Sequence, residues 1–422
     1  MPSGPHLRAP HDNLKSMVRP SLAVAVLLCA FVLPLVSFAQ SSDRPTSSVT
    51  GVTPGSDAAA LQEGGSDPQS TTSTTPTDAP EHNEKAAPRG TIVAAPLPIV
   101  SPAIGTGIIP IVGYIFPFSK NDKISPPSTV GAGGLITNNG SRGFVIGGQI
   151  FLNKDTYEVT AGYLHGNVDY NLYGIGFVAG NAGLKLPLEQ SGEAFFGELV
   201  RRVGWKFFVG PRFVTGNSLV TLKPSSGNVP PIPPDLGLHT TLRALGLRIV
   251  RDTRPNHFYP IAGTKLEFTF DFFAYALGSK FEFQRYKFNF NKYKSLSKNQ
   301  VLAYDLYICA TGGSPPFYAN CIYGTANELR GYTAGQYLDR HMFATQLEYR
   351  LSLPKRLGLA GFAGIGEVVP GGSQLFRINH FLPSVGGGPR FALSTKYHVN
   401  LRADFAKGRD SWTWSMGVGE AF

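Results

Sequence analysis

The chain carries few residue patterns that could support catalysis. It contains no Gly-x-Ser-x-Gly nucleophile elbow, no His-Glu-x-x-His zinc motif and no phosphate-binding Gly-x-x-x-x-Gly-Lys loop. Its nine His residues are scattered, and its three Cys residues lack the spacing of a metal site. His398 and Asp404 are predicted to share one face of a strand, where a polar pair is more often structural than catalytic. We therefore expect no enzyme activity, no metal and no cofactor.

Two cysteines offer a different chemistry. Cys309 and Cys321 are the only Cys residues outside the N-terminal apolar segment. They flank the start of a long stretch that is predicted to be a loop. Because exported proteins reach an oxidising compartment, we expect these thiols to form a disulfide. Two free buried thiols are the alternative.

The composition excludes several classes of protein. Of 422 residues only 16% are charged, against about 25% in ordinary soluble domains, and 12% are aromatic. A helical membrane protein would need several apolar spans of about 20 residues, and only one long apolar run is present. The net charge of +10 is spread along the chain, whereas nucleic-acid binding needs clustered charge, so we expect no nucleic-acid partner.

The N-terminal 100 residues are predicted to precede the folded domain. Basic residues come before the apolar run 21–36, and Ser-Phe-Ala follows at 37–39, which is typical of a signal peptide over residues 1–39. An uncleaved membrane anchor is the alternative. Within residues 41–80, 21 of 40 are Ser, Thr or Pro. Such a composition predicts a disordered linker over residues 40–100, because it buries too little apolar surface to offset the entropy of ordering.

The remaining residues, 101–422, alternate between apolar and polar side chains. In the last twelve residues, Trp412, Trp414 and Met416 alternate with Thr413 and Ser415, which is the period of a β-strand. Four other segments, beginning near residues 157, 265, 343 and 397, follow the same pattern with charged residues on the polar face. A soluble β-sandwich also alternates, but aromatic-rich outer faces and charged inner faces favour a transmembrane β-barrel.

Counting these segments between Gly, Pro, Asn and Asp residues gives sixteen strands. We therefore predict an all-β, 16-stranded antiparallel transmembrane barrel with a long loop between strands 11 and 12. The predicted strands begin near residues 103, 128, 142, 156, 170, 189, 204, 237, 262, 279, 297, 341, 357, 382, 397 and 411.

The long connection, residues 312–340, contains Leu329-Arg330-Gly331-Tyr332. A sixteen-stranded barrel with this motif after strand eleven resembles the Omp85 superfamily (bacterial surface antigen D15, BamA/TamA type). The resemblance implies that this long loop between strands 11 and 12 is lumenal and that Arg330 holds it in the lumen. The segments 251–256, 386–391 and 401–404 are similar to that family's mid-barrel turn and late strands. The terminal Phe422 matches the aromatic end that the family uses as a C-terminal assembly signal.

The sequence departs from the family pattern at two places. The family usually has periplasmic POTRA domains before the barrel, and the Ser/Thr/Pro tract cannot supply one, so the chain resembles a POTRA-lacking member. The family motif Phe-x-Asp-x-Gly on strand thirteen is replaced here by Phe362, Gly364 and Gly366 at the three motif positions. The acid expected to bind the loop arginine is therefore missing at residue 364.

Arg330 must find another carboxylate if it lies inside the barrel, because an unpaired desolvated charge is costly. Asp404 on strand fifteen is the first candidate, since its strand lies close to strand thirteen. Glu348 on strand twelve is the second, and Glu367, which strict alternation places on the outward face, is the third. Alternatively, Arg330 lies in a solvated external loop without a partner.

The resemblance implies a location and a function. We expect the chain in the bacterial outer membrane, inserted there by the barrel assembly machinery and in contact with outer-membrane lipids. Its expected role is insertion or translocation of proteins or lipids, with outer-membrane proteins or lipids as clients. One rival is a passive, porin-like solute channel, and another is an outer-membrane hydrolase, which the missing nucleophile motif disfavours.

Overall fold

The computed structural model describes residues 90–422 except 102, 120, 123, 184, 224–237, 325–328 and 396. The predicted signal peptide, and the predicted linker as far as residue 89, lie outside these residues. In the part that is described, no helix has both the length and the apolar character needed to cross a membrane.

Sixteen strands form one antiparallel sheet in which each strand pairs with its neighbours in the chain, so the predicted all-β barrel is confirmed. A separate ribbon, β12 (Cys321–Ile322) and β13 (Leu338–Asp339), lies between the eleventh and twelfth barrel strands. Among the described residues, one short helix, α1 (Phe177–Ala182), and four 3-10 turns (Tyr275–Leu277, Phe317–Ala319, Gly372–Gln374 and Ile378–His380) lie in connections. The barrel strands are β1 (Thr91–Ser101), β2 (Gly105–Phe116), β3 (Ser128–Thr137), β4 (Arg142–Leu152), β5 (Tyr157–Leu172), β6 (Leu186–Gly204), β7 (Phe207–Leu222), β8 (Leu238–Asp252), β9 (Gly263–Phe273), β10 (Phe283–Ser297), β11 (Gln300–Gly313), β14 (His341–Ser352), β15 (Leu357–Val369), β16 (Leu382–Ser394), β17 (Val399–Lys407) and β18 (Trp412–Val418).

The two faces of the strands explain why the chain closes around a lumen. On β14, Leu347 and Tyr349 are exposed on the outer face, whereas Gln346, Glu348 and Arg350 are buried on the inner face. An apolar outer face suits a bilayer, and a polar inner face suits a lumen. A soluble sandwich would bury the opposite face.

The predicted number of strands is right, but two of the predicted positions are wrong. The structure has a strand, β1, over Thr91–Ser101, all but the last residue of which was predicted to be linker. It has no separate strand at residue 170, because β5 continues to Leu172. Pro96 and Pro98 made this segment look unlike a strand in the sequence, because proline is rare within sheets and occurs mainly at their edges. The barrel therefore begins near residue 91 rather than 101.

The turn between β8 and β9 folds back across one mouth of the barrel. Phe258 in this turn is buried in the same apolar cluster as Tyr397, which precedes β17. The Tyr259 hydroxyl lies 3.0 Å from the Ser352 hydroxyl, and the Asn256 amide lies 3.5 Å from the His398 ring. Residues 253–262 thus connect two distant parts of the barrel wall.

The first and last strands leave the barrel incompletely closed. β1 and β18 lie side by side with Cα atoms within 8 Å of each other. Over the described residues, however, the sheet starts at β1 and ends at β18, and no backbone ladder joins these two strands. We call this junction the seam.

Because the sheet curls into a nearly closed barrel, the folded protein should resist sodium dodecyl sulfate at room temperature. We expect the unheated protein to migrate faster on a gel than the boiled protein, since boiling unfolds the barrel and exposes its backbone. Equal mobility before and after boiling would contradict the membrane barrel.

Candidate functional site

The described parts of the loop between β11 and β14, residues 314–324 and 329–340, lie against the inner wall of the barrel. Leu329, Tyr323 and Tyr337 in this loop are fully buried together with Met342 on β14. At the start of the loop Cys309 and Cys321 form a disulfide with their Cα atoms 5.8 Å apart. The bond fixes the start of the loop to β11.

Arg330 is the centre of the contacts that this loop makes with the wall. Its Nη1 donates to Asp404 Oδ2 at 3.0 Å, and its Nη2 lies 2.6 Å from Glu348 Oε2. Its Nε donates to Gln346 Oε1 at 3.2 Å, and its guanidinium carbon lies 3.4 Å from the centre of the Phe362 ring. Only 4% of Arg330 is exposed. The residue therefore lies in the lumen and not in a solvated external loop.

The candidate partners of Arg330 separate clearly. Asp404 and Glu348, on the fifteenth and twelfth barrel strands, both bind its guanidinium. Glu367 is a wrong candidate, since its carboxylate instead accepts hydrogen bonds from the backbone N–H groups of Phe376 (2.7 Å) and Arg377 (3.1 Å). Its outward position on β15 places it beside the β15–β16 connection and away from the lumen.

Other arginines share the same carboxylates. Arg390 donates to Asp404 at 2.7 Å and to Glu420 at 2.9 Å. Arg402 donates to Asp404 at 2.9 Å, and Arg350 donates to Glu348 at 2.7 Å. We call this set the arginine network; its members are Arg330, Arg350, Arg390, Arg402, Glu348, Asp404 and Glu420.

The glycines of the strand-thirteen motif make room for the loop. A Cβ atom at Gly364 would lie 2.4 Å from Leu329 Cδ1, and one at Gly366 would lie 2.6 Å from the Tyr323 hydroxyl oxygen. These distances are too short for non-bonded atoms. An acid at residue 364 would therefore exclude Leu329, which explains why the carboxylates come from β14 and β17 instead.

Hydrogen bonds from side-chain hydroxyls to backbone carbonyls fix the loop on the side of β16. The Ser384 hydroxyl donates to the Arg330 carbonyl, and the Tyr332 hydroxyl donates to the Pro383 carbonyl at 2.5 Å. Gly331 between them has φ +108°, a conformation that favours glycine. Four successive residues thus each make a different contribution: Leu329 packs against Gly364, Arg330 is the cation, Gly331 bends the backbone and Tyr332 donates a hydrogen bond.

Two tyrosines of the loop stay neutral at this site. The Tyr323 hydroxyl donates to the Leu382 carbonyl at 3.0 Å, and the Tyr332 hydroxyl also accepts from the Arg409 N–H at 3.0 Å. Burial raises the pKa of both phenols above the ordinary value of 10.0. Both therefore remain hydrogen-bond donors to the wall.

Two residues singled out in the sequence have other positions than expected. His398 lies in the turn before β17, where it contacts Asn256 of the β8–β9 turn. Asp404 instead binds arginine side chains.

β18 ends at Val418, and Gly419 with φ +82° turns the C-terminal residues inward. The Phe422 main-chain oxygen then accepts from Arg350 at 2.9 Å. The predicted outward strand over the last twelve residues is therefore wrong beyond Val418.

Most of the arginine network and a second charged cluster were not predicted from the sequence. The second cluster lies on β5–β9, where Arg248 binds Glu158, Glu198 (3.5 Å) and Glu267 (2.8 Å). The inward phase of the alternation was the available signal for both clusters. In the part of the chain that is described, no group of three His, Cys, Asp or Glu side chains is placed to hold a metal ion.

The Arg330–Asp404 contact can be tested by a double-mutant cycle on the folded barrel, with unfolding in urea followed by Trp fluorescence. Arg330→Ala and Asp404→Ala should each destabilise the fold by about 3–5 kcal/mol, because each leaves buried charges unpaired. The double variant should deviate from the sum by more than about 1 kcal/mol. Asp404→Asn serves where the alanine variant does not fold.

The control for this cycle is Arg356→Ala, since Arg356 is exposed and donates to the Ala392 carbonyl. Its effect should add to that of Asp404→Ala within about 0.5 kcal/mol. Strict additivity of Arg330→Ala and Asp404→Ala would show that the two side chains do not interact.

The disulfide gives a second prediction. An unreduced digest should yield linked peptides that contain Cys309 and Cys321. Replacing both by Ser should destabilise the barrel by about 2–3 kcal/mol, since the short loop is no longer closed in the unfolded chain. Reductant should have no effect on the double variant, and two alkylatable thiols in the native chain would refute the bond.

Comparison with known proteins identifies the region that carries this site. Residues 215–420 match the model of the Omp85 superfamily domain. A search of curated proteins finds no match to the sequence. Both the arginine network and the disulfide lie within the matched residues.

Solved structures show a similar fold at low sequence identity. BamA from Haemophilus ducreyi lacking POTRA domains 1-3 is 14% identical, covers 78% of this chain and 70% of its own, and superimposes with a TM-score of 0.49. CdiB from Acinetobacter baumannii is 14% identical (78% and 59% covered, TM-score 0.49). CdiB from Escherichia coli is 10% identical (79% and 63% covered, TM-score 0.52), so the chain spans less than two thirds of either CdiB chain. Residues 215–420 are thus similar to the Omp85 superfamily domain, and the anchored loop lies within these residues.

Proposed function

We propose that this protein works in the bacterial outer membrane, where it inserts or translocates proteins or lipids through the seam between β1 and β18. The observation that carries the proposal is an unpaired seam beside a lumen that is occupied by an anchored loop. A cargo that cannot pass along the lumen axis can still leave sideways between two strands that no ladder joins.

The strands at the seam are suited to separation. β18 has only seven residues, fewer than the 9–11 that usually span a bilayer. Its chain turns inward at Gly419, and Glu420 binds Arg390 and the Asn400 amide inside the barrel. The end of the last strand is thus held by the lumen wall and not by β1.

The loop fixes the wall next to the seam. Arg330 connects β14, through Glu348, with β17, through Asp404, and β17 is the strand that pairs with β18. We propose that the Leu329–Tyr332 segment sets the position of β17, and with it the width of the seam.

A passive solute channel is the alternative. The charged cluster around Arg248 favours it, because charged side chains on a lumen wall suit aqueous solutes. The apolar cluster that extends from β2 through Tyr318 of the loop to Phe283 of β10 opposes it, since these buried side chains occupy lumen space. The family match and the barrel fold support an outer-membrane protein of transport type and not an enzyme.

Reconstitution into phospholipid vesicles tests the proposal. The vesicles should either speed the folding of an added unfolded outer-membrane barrel or redistribute a fluorescent phospholipid between leaflets. Arg330→Ala should reduce that activity several-fold, because the loop no longer positions β17, whereas Arg356→Ala should leave it unchanged. In cells, depletion should alter the protein or lipid profile of the outer membrane.

Ion conductance with no movement of protein or lipid would show a passive channel and overturn the proposal. Conductance that accompanies cargo movement and rises in Arg330→Ala would agree with it, since a released loop opens the lumen.

A further inference from the structure

The free edge of β1 lacks hydrogen-bond donors in its middle. Pro96 and Pro98 lie near the centre of Thr91–Ser101, and proline has no backbone N–H. Which edge of the strand they affect depends on the direction in which their nitrogen atoms point.

The pairing of β1 with β2 settles that direction. Pro96 lies opposite Pro110, and neither residue can donate. In an antiparallel ladder, opposite residues either exchange hydrogen bonds or point their N–H and C=O groups away to the next strands. The Pro96–Pro110 pair must be of the second kind. The nitrogens of Pro96 and, two residues on, Pro98 therefore point to the seam.

The other side of Pro110 agrees with this geometry. Its nitrogen must point to β3, and the β2–β3 ladder is interrupted at that position, with pairs at Ile108–Ile136 and Ile111–Gly133 but none between. A Cβ atom on Gly134 of β3 would lie 3.3 Å from the Pro110 ring. Proline on these strands thus removes backbone pairing with the strand toward which its nitrogen points.

This edge is a poor template for an incoming β-strand. A strand added to a sheet needs a donor for each of its carbonyls that faces the edge. At Pro96 and Pro98 two successive carbonyls of the added strand would stay unpaired at mid-membrane. In hydrocarbon, where no water replaces the missing donors, that is a severe penalty.

The same strands offer apolar surface on both faces. On the outer face Ile92, Val100 and Val112 are exposed to the bilayer. On the inner face Leu97 and Ile111 are buried and apolar, although β14 and β17 are charged at their inward positions. A hydrocarbon chain that moves across the edge of β1 therefore contacts apolar side chains on the outer face and then on the inner face.

Building on the proposed function, we infer that the cargo at the seam is a diacyl phospholipid and not a β-strand of a client protein. Acyl chains have no hydrogen-bonding groups, so the prolines cost them nothing. The prolines also prevent β1 from closing on β18 and keep the seam passable.

The test uses the full chain in phosphatidylcholine vesicles that contain a fluorescently labelled phosphatidylethanolamine. Dithionite, which quenches only the outer leaflet, reports movement of the label between leaflets. In parallel, the same vesicles receive an unfolded eight-stranded barrel whose folding is followed by its gel mobility. The wild type should move the label and leave the folding rate of the client unchanged.

Pro96→Val with Pro98→Val should slow the label on the order of tenfold, the effect of about two restored hydrogen bonds across the seam. Pro110→Val is the matched control, because it restores a donor toward β3 and not toward the seam, and it should leave the rate unchanged. Leu97→Asn is a second variant that slows the label by placing an amide on the inner face. Gel mobility before boiling shows that each variant is folded.

The outcomes separate the two proposals. Faster folding of the client, with or without lipid movement, overturns the lipid inference but leaves the proposed function standing. Movement of neither cargo overturns both. Lipid movement that is equal in the wild type and the Pro96→Val, Pro98→Val variant overturns the role of the seam edge.

Discussion

The buried guanidinium of Arg330 constrains the structure around it. A cation with 4% of its surface exposed needs carboxylates within hydrogen-bonding distance, and two different strands supply them. Those carboxylates are shared by Arg350, Arg390 and Arg402, so each ion pair depends on the others. Removing one charge would leave several opposite charges unbalanced in a buried site. The loop is therefore part of the wall, and its position is set as firmly as that of the strands.

The bilayer imposes a second constraint, the pairing of backbone groups, which the seam does not fully satisfy. In hydrocarbon each backbone N–H and C=O needs a partner, which is why barrels normally close. Here Pro96 and Pro98 remove two donors from one side of the junction, and the short β18 removes groups from the other. Fewer groups are left unpaired than two ordinary strand edges would leave. The free-energy cost of an open seam is thus lower for this sequence than for a sequence with a regular first strand.

Much of this arrangement could be predicted from alternation and order along the chain. The barrel and Asp404 as a partner of Arg330 follow from side-chain phase, because phase fixes which residues share the lumen. The predicted number of strands is right because the strand wrongly predicted at residue 170 offsets the missed β1. β1 could not be found in this way, since its prolines replace the usual pattern and both of its faces are apolar. The inward tail after Gly419 depends on one glycine with positive φ, which alternation cannot reveal. Nor could the fit of Leu329 against Gly364 be foreseen, because it depends on the approach of two segments distant in sequence.

The two constraints meet on β17. Its inward face carries Asp404, which binds the loop, while its edge pairs with β18, the last strand before the seam. A shift of the loop therefore changes the position of the strand that borders the seam, through one rigid element and a few hydrogen bonds. The seam itself has no ladder to resist such a shift. Coupling of this kind needs a strand that can move, and within the described residues β18 has no paired neighbour on the side of the seam. Of the strands that bind the loop, β17 lies nearest to the seam. On the proposed function, the loop motif acts on the seam without touching the cargo.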